Sequence, residues 1–214
     1  MFVAVLPPHG VLEDLEEYVA PRREAGGPRW TPPEQWHLTL AFLPDVPDAH
    51  LDALADGLAA AAVRRTPFGM RVAGGGAFPD PTRARVLYAA LDPQADTGAD
   101  TGAETGADTG AEELDRLARG ARNAANAAGV EVDGQRFRPH LTLARMNRPT
   151  EATRWIRVFD AYAGPAWQVE EVALVASYLG EAPGGRARHE VVGRFSLGPA
   201  GSGPAPAGAP PCGR

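Results

Sequence analysis

The 214-residue sequence has no lysine, a single cysteine and no long apolar segment. All 21 basic residues are arginine, which excludes chemistry that needs a lysine: Schiff-base catalysis, phosphate-loop nucleotide hydrolysis and ligation through a lysyl-adenylate. Cys212 lies at the C-terminal end, so an intramolecular disulfide and a cysteine-ligated zinc site are both excluded. No apolar run approaches the roughly 20 residues that span a bilayer, and the start MFVAVLPPHG lacks the basic segment of a signal peptide. We therefore expect a cytoplasmic protein that does not associate with membranes.

Charge is distributed unevenly along the chain. The formal net charge is −6, but residues 95–113, ADTGADTGAETGADTGAEE, contain six acidic residues and no basic one. The other 21 acidic residues balance the 21 arginines. Between Arg136 and Arg157 lie six arginines and one glutamate. This local excess of positive charge favours a phosphate-bearing ligand, and the alternative is a solvated arginine-rich surface.

Two segments without apolar periodicity divide the chain. The acidic repeat at 94–111 is predicted to be a flexible, dispensable insert, and the Pro/Gly-rich residues 198–214 are predicted to be a disordered tail. The remaining residues, within 1–197, are predicted to form one α+β or mixed α/β domain. The predicted strands cover about 2–6, 36–43, 68–72, 86–91, 140–145, 169–178 and 189–197, and the predicted helices about 11–23, 49–63, 112–128 and 151–159. A turn is predicted at Gly74–Gly76.

A six-residue motif occurs twice, 103 residues apart. His37–Phe42 reads HLTLAF and His140–Arg145 reads HLTLAR, with identity at five of six positions. Because side chains alternate between the two faces of a strand, the histidine and threonine of each copy share one face and the leucines the other. We expect the leucines to anchor each strand in the core. If the two strands lie near each other about a pseudo-twofold axis, the two histidines and two threonines converge on one pocket.

This set of side chains suits in-line displacement at phosphorus. One of His37 and His140 can accept a proton from water while the other donates one to the departing oxygen. The hydroxyls of Thr39 and Thr142 can donate hydrogen bonds to the non-bridging oxygens, and Arg145 can neutralise their charge. No metal is required. Strict alternation, however, places Arg145 on the face opposite His140, so its predicted role requires a bend in the strand.

Aromatic residues surround the first motif. Phe42 occupies the position of Arg145 in the repeat and is a candidate for base stacking. Core packing is nevertheless the favoured interpretation for each of the three aromatic residues near this motif, Trp30, Trp36 and Phe42. Two other functions remain open on the residues alone. One is a metal-dependent hydrolase with the two motif histidines as ligands and a carboxylate such as Asp45 as the third. The other is a non-catalytic module that binds phosphorylated RNA ends or nucleotides.

The two motifs resemble those of the 2H phosphoesterase superfamily, which is defined by two His-x-Thr/Ser-x motifs. Within it the chain is most similar to the RNA 2′,3′-cyclic phosphodiesterases, also called 2′-5′ RNA ligases, over roughly residues 2–197. Supporting stretches include the run from Trp36 to Leu43 and the run from Phe137 to Arg145. The resemblance implies a bilobal α+β fold, in which two pseudo-symmetric lobes of antiparallel sheet and helices surround a central cleft and each carries one motif.

The same resemblance implies the reaction. The family opens a terminal 2′,3′-cyclic phosphate to a 2′-phosphate without a metal or nucleotide cofactor, and some members also join RNA ends reversibly through 2′-5′ linkages. Carried onto this chain, His37 is the proton donor to the 3′ oxygen and His140 is the acceptor that activates water. His189 is expected near the cleft. The expected substrates are RNA 3′ ends with a 2′,3′-cyclic phosphate or small cyclic nucleotides, and a monomer suffices because one chain supplies both motifs.

Overall fold

The computed structural model describes residues 1–24, 27–93, 95, 110–182 and 186–198. Most of the predicted insert at 94–111 and of the predicted tail at 198–214 lies outside these residues. The third helix begins at Gly110, so the last two residues assigned to the insert are helical. The start of this helix was predicted two residues too late, because Gly110 and Ala111 continue the repeat pattern of the insert.

The described residues form nine strands and four α-helices. The strands are β1 (Phe2–Val5), β2 (Arg29–Trp30), β3 (Leu38–Phe42), β4 (Phe68–Phe78), β5 (Ala84–Asp92), β6 (Leu141–Thr150), β7 (Ala163–Val169), β8 (Glu171–Ala182) and β9 (Arg186–Ser196). The helices are α1 (His9–Glu24), α2 (Leu51–Ala62), α3 (Gly110–Ala127) and α4 (Thr153–Asp160). Neither β2 nor β7 is predicted from the sequence. No helix in the described part of the chain is both long and apolar enough to cross a membrane.

All strands join one antiparallel sheet with the order β7-β4-β5-β6-β3-β1-β8-β9, and β2 adds to β6. The β3–β6 junction divides this order into two groups of four strands, each containing one motif strand. Helices α2 and α3 pack together, with α3 against β3 and α2 against β9, while α4 packs on β4 and α1 on β7. The predicted α+β fold with two lobes of antiparallel sheet is confirmed.

The amphipathic pattern of α3 explains how one lobe is covered. Its buried residues recur at the spacing of one helical face and include Leu114, Leu117, Ala118 and Ala121. Small alanines on this face let α3 approach α2 closely, where Gly57 lies next to Ala124. The core therefore continues from the motif leucines through the sheet to these two helices.

The predicted turn at Gly74–Gly76 is wrong, because these glycines lie inside β4. Gly75 and Gly76 pair with β5, where Gly76 stands opposite Tyr88. A Cβ atom on Gly75 would lie 2.5 Å from Phe159 Cβ, and one on Gly76 would lie 2.3 Å from the Tyr88 ring. The glycines thus make room for aromatic side chains that pack across the strand. Sequence-local preferences for turns do not register this tertiary requirement.

Candidate active site

The two motifs meet where the lobes join. Leu38 and Leu141 are direct partners in the β3–β6 pairing and are both buried. Because neighbouring side chains alternate, the histidine and threonine on either side of each leucine point to the opposite face. The antiparallel register, continued one residue each way, sets the histidine of each motif beside the threonine of the other. The predicted convergence of His37–Thr39 and His140–Thr142 on one face therefore follows from a single register pair.

Each motif strand contains a β-bulge directly after its threonine. In β3, consecutive residues of β1 pair with Thr39 and Ala41, which leaves Leu40 as the extra residue. In β6, the consecutive β5 residues Leu87 and Tyr88 pair with Ala144 and Thr142, which leaves Leu143 as the extra residue. Both extra leucines and the alanines that follow them are buried. A bulge of this kind reverses the alternation of side chains beyond it.

The bulge at Leu143 corrects the expected orientation of Arg145. Strict alternation predicts that Arg145 faces away from His140, whereas the extra residue returns it to the face of His140 and Thr142. Arg145 lines the same cavity as both of them. Phe42, at the equivalent position after the first bulge, also lines this cavity and is 46% exposed. The required bend is thus a bulge that occurs in both copies of the motif.

A cavity of about 430 Å³ lies above the joined motifs, within the range of about 300–1,000 Å³ that is typical of ligand sites. All six residues that were assigned to the site within the two motif copies contribute to its wall. Its lining residues are Phe2, Arg29, Trp30, Thr31, Pro32, Gln35, His37, Thr39, Phe42, His140, Thr142, Arg145, Ser177, Leu179, Gly180, Arg186, Ala187 and His189. None of these described lining residues carries a carboxylate, and three are arginines. The wall therefore favours an anionic ligand.

Both motif histidines are held in the same orientation by the backbone two residues earlier. Nδ1 of His37 lies 2.8 Å from the carbonyl oxygen of Gln35, and Nδ1 of His140 lies 2.7 Å from that of Arg138. Because a carbonyl oxygen only accepts, Nδ1 carries the proton in the neutral ring. Nε2 is then left as the proton acceptor on each imidazole. Two equivalent bases thus arise from two equivalent local structures.

His37 is enclosed by aromatic rings and positive charge. Phe2 stacks on it with centroids 4.4 Å apart, and His189 meets it edge-on at 5.4 Å. Burial, together with the charges of His189, His140 and Arg145, lowers the pKa of His37 to about 4, against the opposing effect of the backbone hydrogen bond. In the free protein His37 is therefore neutral at neutral pH.

His140 has a similar but less enclosed environment. Phe78 and Tyr88 meet it edge-on with centroids at 5.0 and 5.4 Å. Burial lowers the pKa of His140, and the charge of Arg145 lowers it further, while the hydrogen bond to the backbone carbonyl opposes both. An imidazole with a lowered pKa is ready to accept a proton at Nε2. For His37 to donate one at neutral pH, a bound anion must first raise its pKa.

Several cavity residues were missed or left without a role in the sequence. His189 lies in the wall next to His37, as the resemblance implies. Arg29 and Arg186 were not predicted to belong to the site, because their positions depend on β2 joining β6 and on the β8–β9 hairpin, and no local pattern signals either pairing. Trp30 and Trp36 are buried, which confirms core packing for both. Core packing is the wrong interpretation for Phe42, which the bulge at Leu40 turns out of the core.

The carboxylate considered as a metal ligand lies elsewhere. Asp45 is not among the residues that line the cavity, and its charge acts instead on the N-terminal amine, whose pKa it raises against the larger effect of burial. Among the described residues, no group of three or more histidine, cysteine, aspartate or glutamate side chains is arranged to hold a metal ion. The metal-dependent alternative thus has no ligand set in the described ranges.

The model of a family described as LigT-like phosphoesterases matches residues 5–88 and 106–183. The two matched segments cover more than half of the chain and contain both motifs. The chain belongs to the LigT-like phosphoesterase family. This confirms the resemblance drawn from the paired motifs.

Individual LigT-like phosphoesterases agree with this assignment. The RNA 2′,3′-cyclic phosphodiesterase of Thermus thermophilus is 34% identical over 186 residues, which cover 84% of this chain and 82% of the relative. A protein of the same name from Geobacillus stearothermophilus is 27% identical over 170 residues, and this match covers 78% of the chain but only 47% of the relative. The crystal structure of TT0787, also from Thermus thermophilus, superposes with a TM-score of 0.68 at 29% identity, covering 93% of this chain and 98% of that one.

Proposed function

We propose that this LigT-like phosphoesterase hydrolyses RNA terminal 2′,3′-cyclic phosphates to 2′-phosphomonoesters by metal-independent acid–base catalysis. The observation that carries the proposal is the mirrored pair of histidines. Each is fixed through Nδ1 to a backbone carbonyl, which leaves Nε2 for a shared cavity whose described lining residues include no carboxylate. The activity for which its relatives are named supplies the substrate class.

A phosphorus atom above the Leu38–Leu141 pair has one imidazole on each side, as in-line displacement requires. The hydroxyls of Thr39 and Thr142 make no hydrogen bond within the described residues, so both can donate to non-bridging oxygens. Arg145 forms no ion pair with a described carboxylate and adds a charge-assisted contact. The charge that develops on the equatorial oxygens is thereby stabilised.

The surroundings of the two histidines support different roles for them. His140 is the less enclosed ring and can take a proton from an incoming water at Nε2. His37 is covered by Phe2 and His189, and it becomes protonated, and so available as a proton donor, once the substrate charge has raised its pKa. The water oxygen bonds to phosphorus, the bond from phosphorus to the 3′ oxygen breaks, and that oxygen takes the proton of His37. Solvent exchange then restores both rings.

A 5′-hydroxyl in place of water gives the second part of the proposal, a reversible 2′-5′ joining of RNA ends. The same bond to the 3′ oxygen breaks, so the phosphate remains on the 2′ oxygen, and no nucleotide is consumed. Phe42, exposed at the cavity edge, is the candidate for stacking against a base. Since one chain supplies both motifs and the substrate is RNA, we propose a cytoplasmic monomer without a cofactor.

The test is turnover of an RNA oligonucleotide with a 2′,3′-cyclic phosphate in excess EDTA, followed by ³¹P NMR. The parent should produce only the 2′-phosphate. His37→Ala and His140→Ala should each lose roughly 10²- to 10⁴-fold in kcat, the range expected for one acid–base group. His9→Ala removes an exposed histidine outside the cavity and should behave like the parent.

Other results would identify the alternatives. Turnover that disappears only in EDTA would make the histidines metal ligands. Tight binding of the cyclic end without turnover, equal in parent and variants, would indicate a binding module. A 3′-phosphate product would show that the 2′ oxygen leaves and that the proposed regiochemistry is wrong.

A further inference from the structure

Two arginines stand directly opposite each other at one end of the cavity. Arg29 on β2 is the register partner of Arg145 on β6, and the pairing continues with a hydrogen bond of 2.8 Å from the Thr31 amide to the Leu143 carbonyl. Directly paired residues on antiparallel strands project to the same face, with Cβ atoms about 4.5–5.5 Å apart. Both arginines line the cavity.

Like charges in this position repel each other and destabilise the pairing of strands. Neither Arg29 nor Arg145 forms an ion pair with a carboxylate in the described parts of the chain, and the described cavity wall has no carboxylate. Two anionic groups, or one shared anion, would relieve the repulsion.

The strand that carries Arg29 lies to one side of the reacting centre. Arg29 pairs with β6 at Arg145, four residues beyond Leu141, which is the partner of Leu38 at the centre of the site. The backbone of Arg29 is therefore displaced along the sheet from the position of the reacting phosphorus, which lies above the Leu38–Leu141 pair. Thr31, two residues along the chain from Arg29, also lines the cavity and makes no side-chain hydrogen bond within the described residues.

We propose that Arg29 and Thr31 form a second phosphate subsite, which binds the internal phosphodiester one nucleotide upstream of the reacting cyclic phosphate. The inference rests on the proposed function and narrows its substrate class to oligonucleotide ends of two or more residues. A mononucleotide cyclic phosphate lacks the upstream phosphate and leaves Arg29 without a partner. Arg29 is thus a residue of substrate binding and specificity, separate from the proton-transfer step.

The test compares three substrates: adenosine 2′,3′-cyclic phosphate, the dinucleotide ApA with a 2′,3′-cyclic phosphate, and the same dinucleotide with an uncharged methylphosphonate at its internal linkage. The parent should hydrolyse the charged dinucleotide with a kcat/KM about tenfold above that of the methylphosphonate, the effect expected of one charge-assisted contact. This comparison needs no variant, so it is independent of any effect on folding.

Arg29→Gln should reduce kcat/KM for the charged dinucleotide about tenfold, mainly through KM, and should remove the difference between the charged and uncharged linkages. Arg148→Gln is the matched control, because it removes one exposed arginine from β6 outside the cavity. That control should retain the parent's preference for the charged linkage.

Two results would overturn the subsite while leaving the proposed function in place. One is equal turnover of the charged and methylphosphonate dinucleotides by the parent. The other is an Arg29→Gln loss of the same size on all three substrates, which would assign Arg29 to the reacting phosphate. A parent that hydrolyses none of the three would overturn the proposed function and this inference with it.

Discussion

An anion bound in the cavity should raise the pKa of His37 from about 4 to near 7. Burial and neighbouring positive charges hold it low in the free protein, and a phosphate next to the imidazolium opposes both effects. At a separation of about 4 Å and an effective dielectric constant of about 20, opposite unit charges attract by about 4 kcal/mol. Since one pKa unit corresponds to about 1.36 kcal/mol, the pKa should rise by about three.

The assay is an NMR titration of protein with isotopically labelled histidine, free and saturated with adenosine 2′-monophosphate, the proposed product. A His37→Asn variant assigns the His37 signal. At pH 6 the His37 ring should be neutral in the free protein and largely protonated in the complex. Calorimetry in buffers of different ionisation enthalpy should therefore detect that His37 takes up roughly one proton when the ligand binds. In the free protein, Arg145→Gln should raise the pKa of His37 and of His140, because it removes a like charge from each.

A pKa of His37 that remains near 4 in the complex would refute this reasoning. An imidazole with that pKa is protonated in only about one molecule in a thousand at pH 7. It could not then serve as the donor to the 3′ oxygen at neutral pH. A large rise at His140 alone would reverse the proposed roles of the two histidines.

Three further predictions concern the motif, the sheet and the insert. Thr39→Val should lower kcat/KM by roughly 10- to 100-fold, the value of a hydrogen bond to a charged group, as measured in steady-state kinetics with the circular dichroism spectrum unchanged. Gly76→Ala should lower the free energy of unfolding by about 1–3 kcal/mol because the new methyl group meets Tyr88, whereas Gly10→Ala, with nothing within 4 Å of the new methyl group, should not destabilise the protein in the same denaturant titration. Deletion of residues 96–109 should leave turnover within about twofold of the parent, since Gly110 already lies against the Pro93 carbonyl; a collapse of folding or activity would show that the repeat is structural.

The sequence was sufficient for the centre of the site. Two copies of a six-residue motif predicted which histidines and threonines share a face, because strand alternation over three residues needs no tertiary information. The buried leucines of both copies agree with that prediction. The main helices were also predictable, since their apolar residues recur at helical spacing, as Leu114 and Leu117 do in α3.

Features that depend on pairing between separate strands could not be predicted. The extra residue at Leu143 exists only relative to β5, so no single-strand pattern could orient Arg145. Arg29 enters the cavity through a two-residue strand paired with residues more than a hundred positions away. The glycines of β4 were misinterpreted as a turn because no local pattern signals that Tyr88, on the neighbouring strand, packs against them.

The junction of the two lobes also has a consequence for folding. The histidines are 103 residues apart in the chain, yet they are brought together by the Leu38–Leu141 pair in the middle of the sheet. Contacts between residues so far apart in sequence have a high entropic cost of loop closure, and they therefore form slowly. Neither lobe alone holds both histidines, so a nascent or partly folded chain lacks the pair on which the proposed acid–base catalysis depends. In refolding experiments, the recovery of phosphodiesterase turnover should therefore lag behind the recovery of helical circular dichroism and report the closure of this central junction.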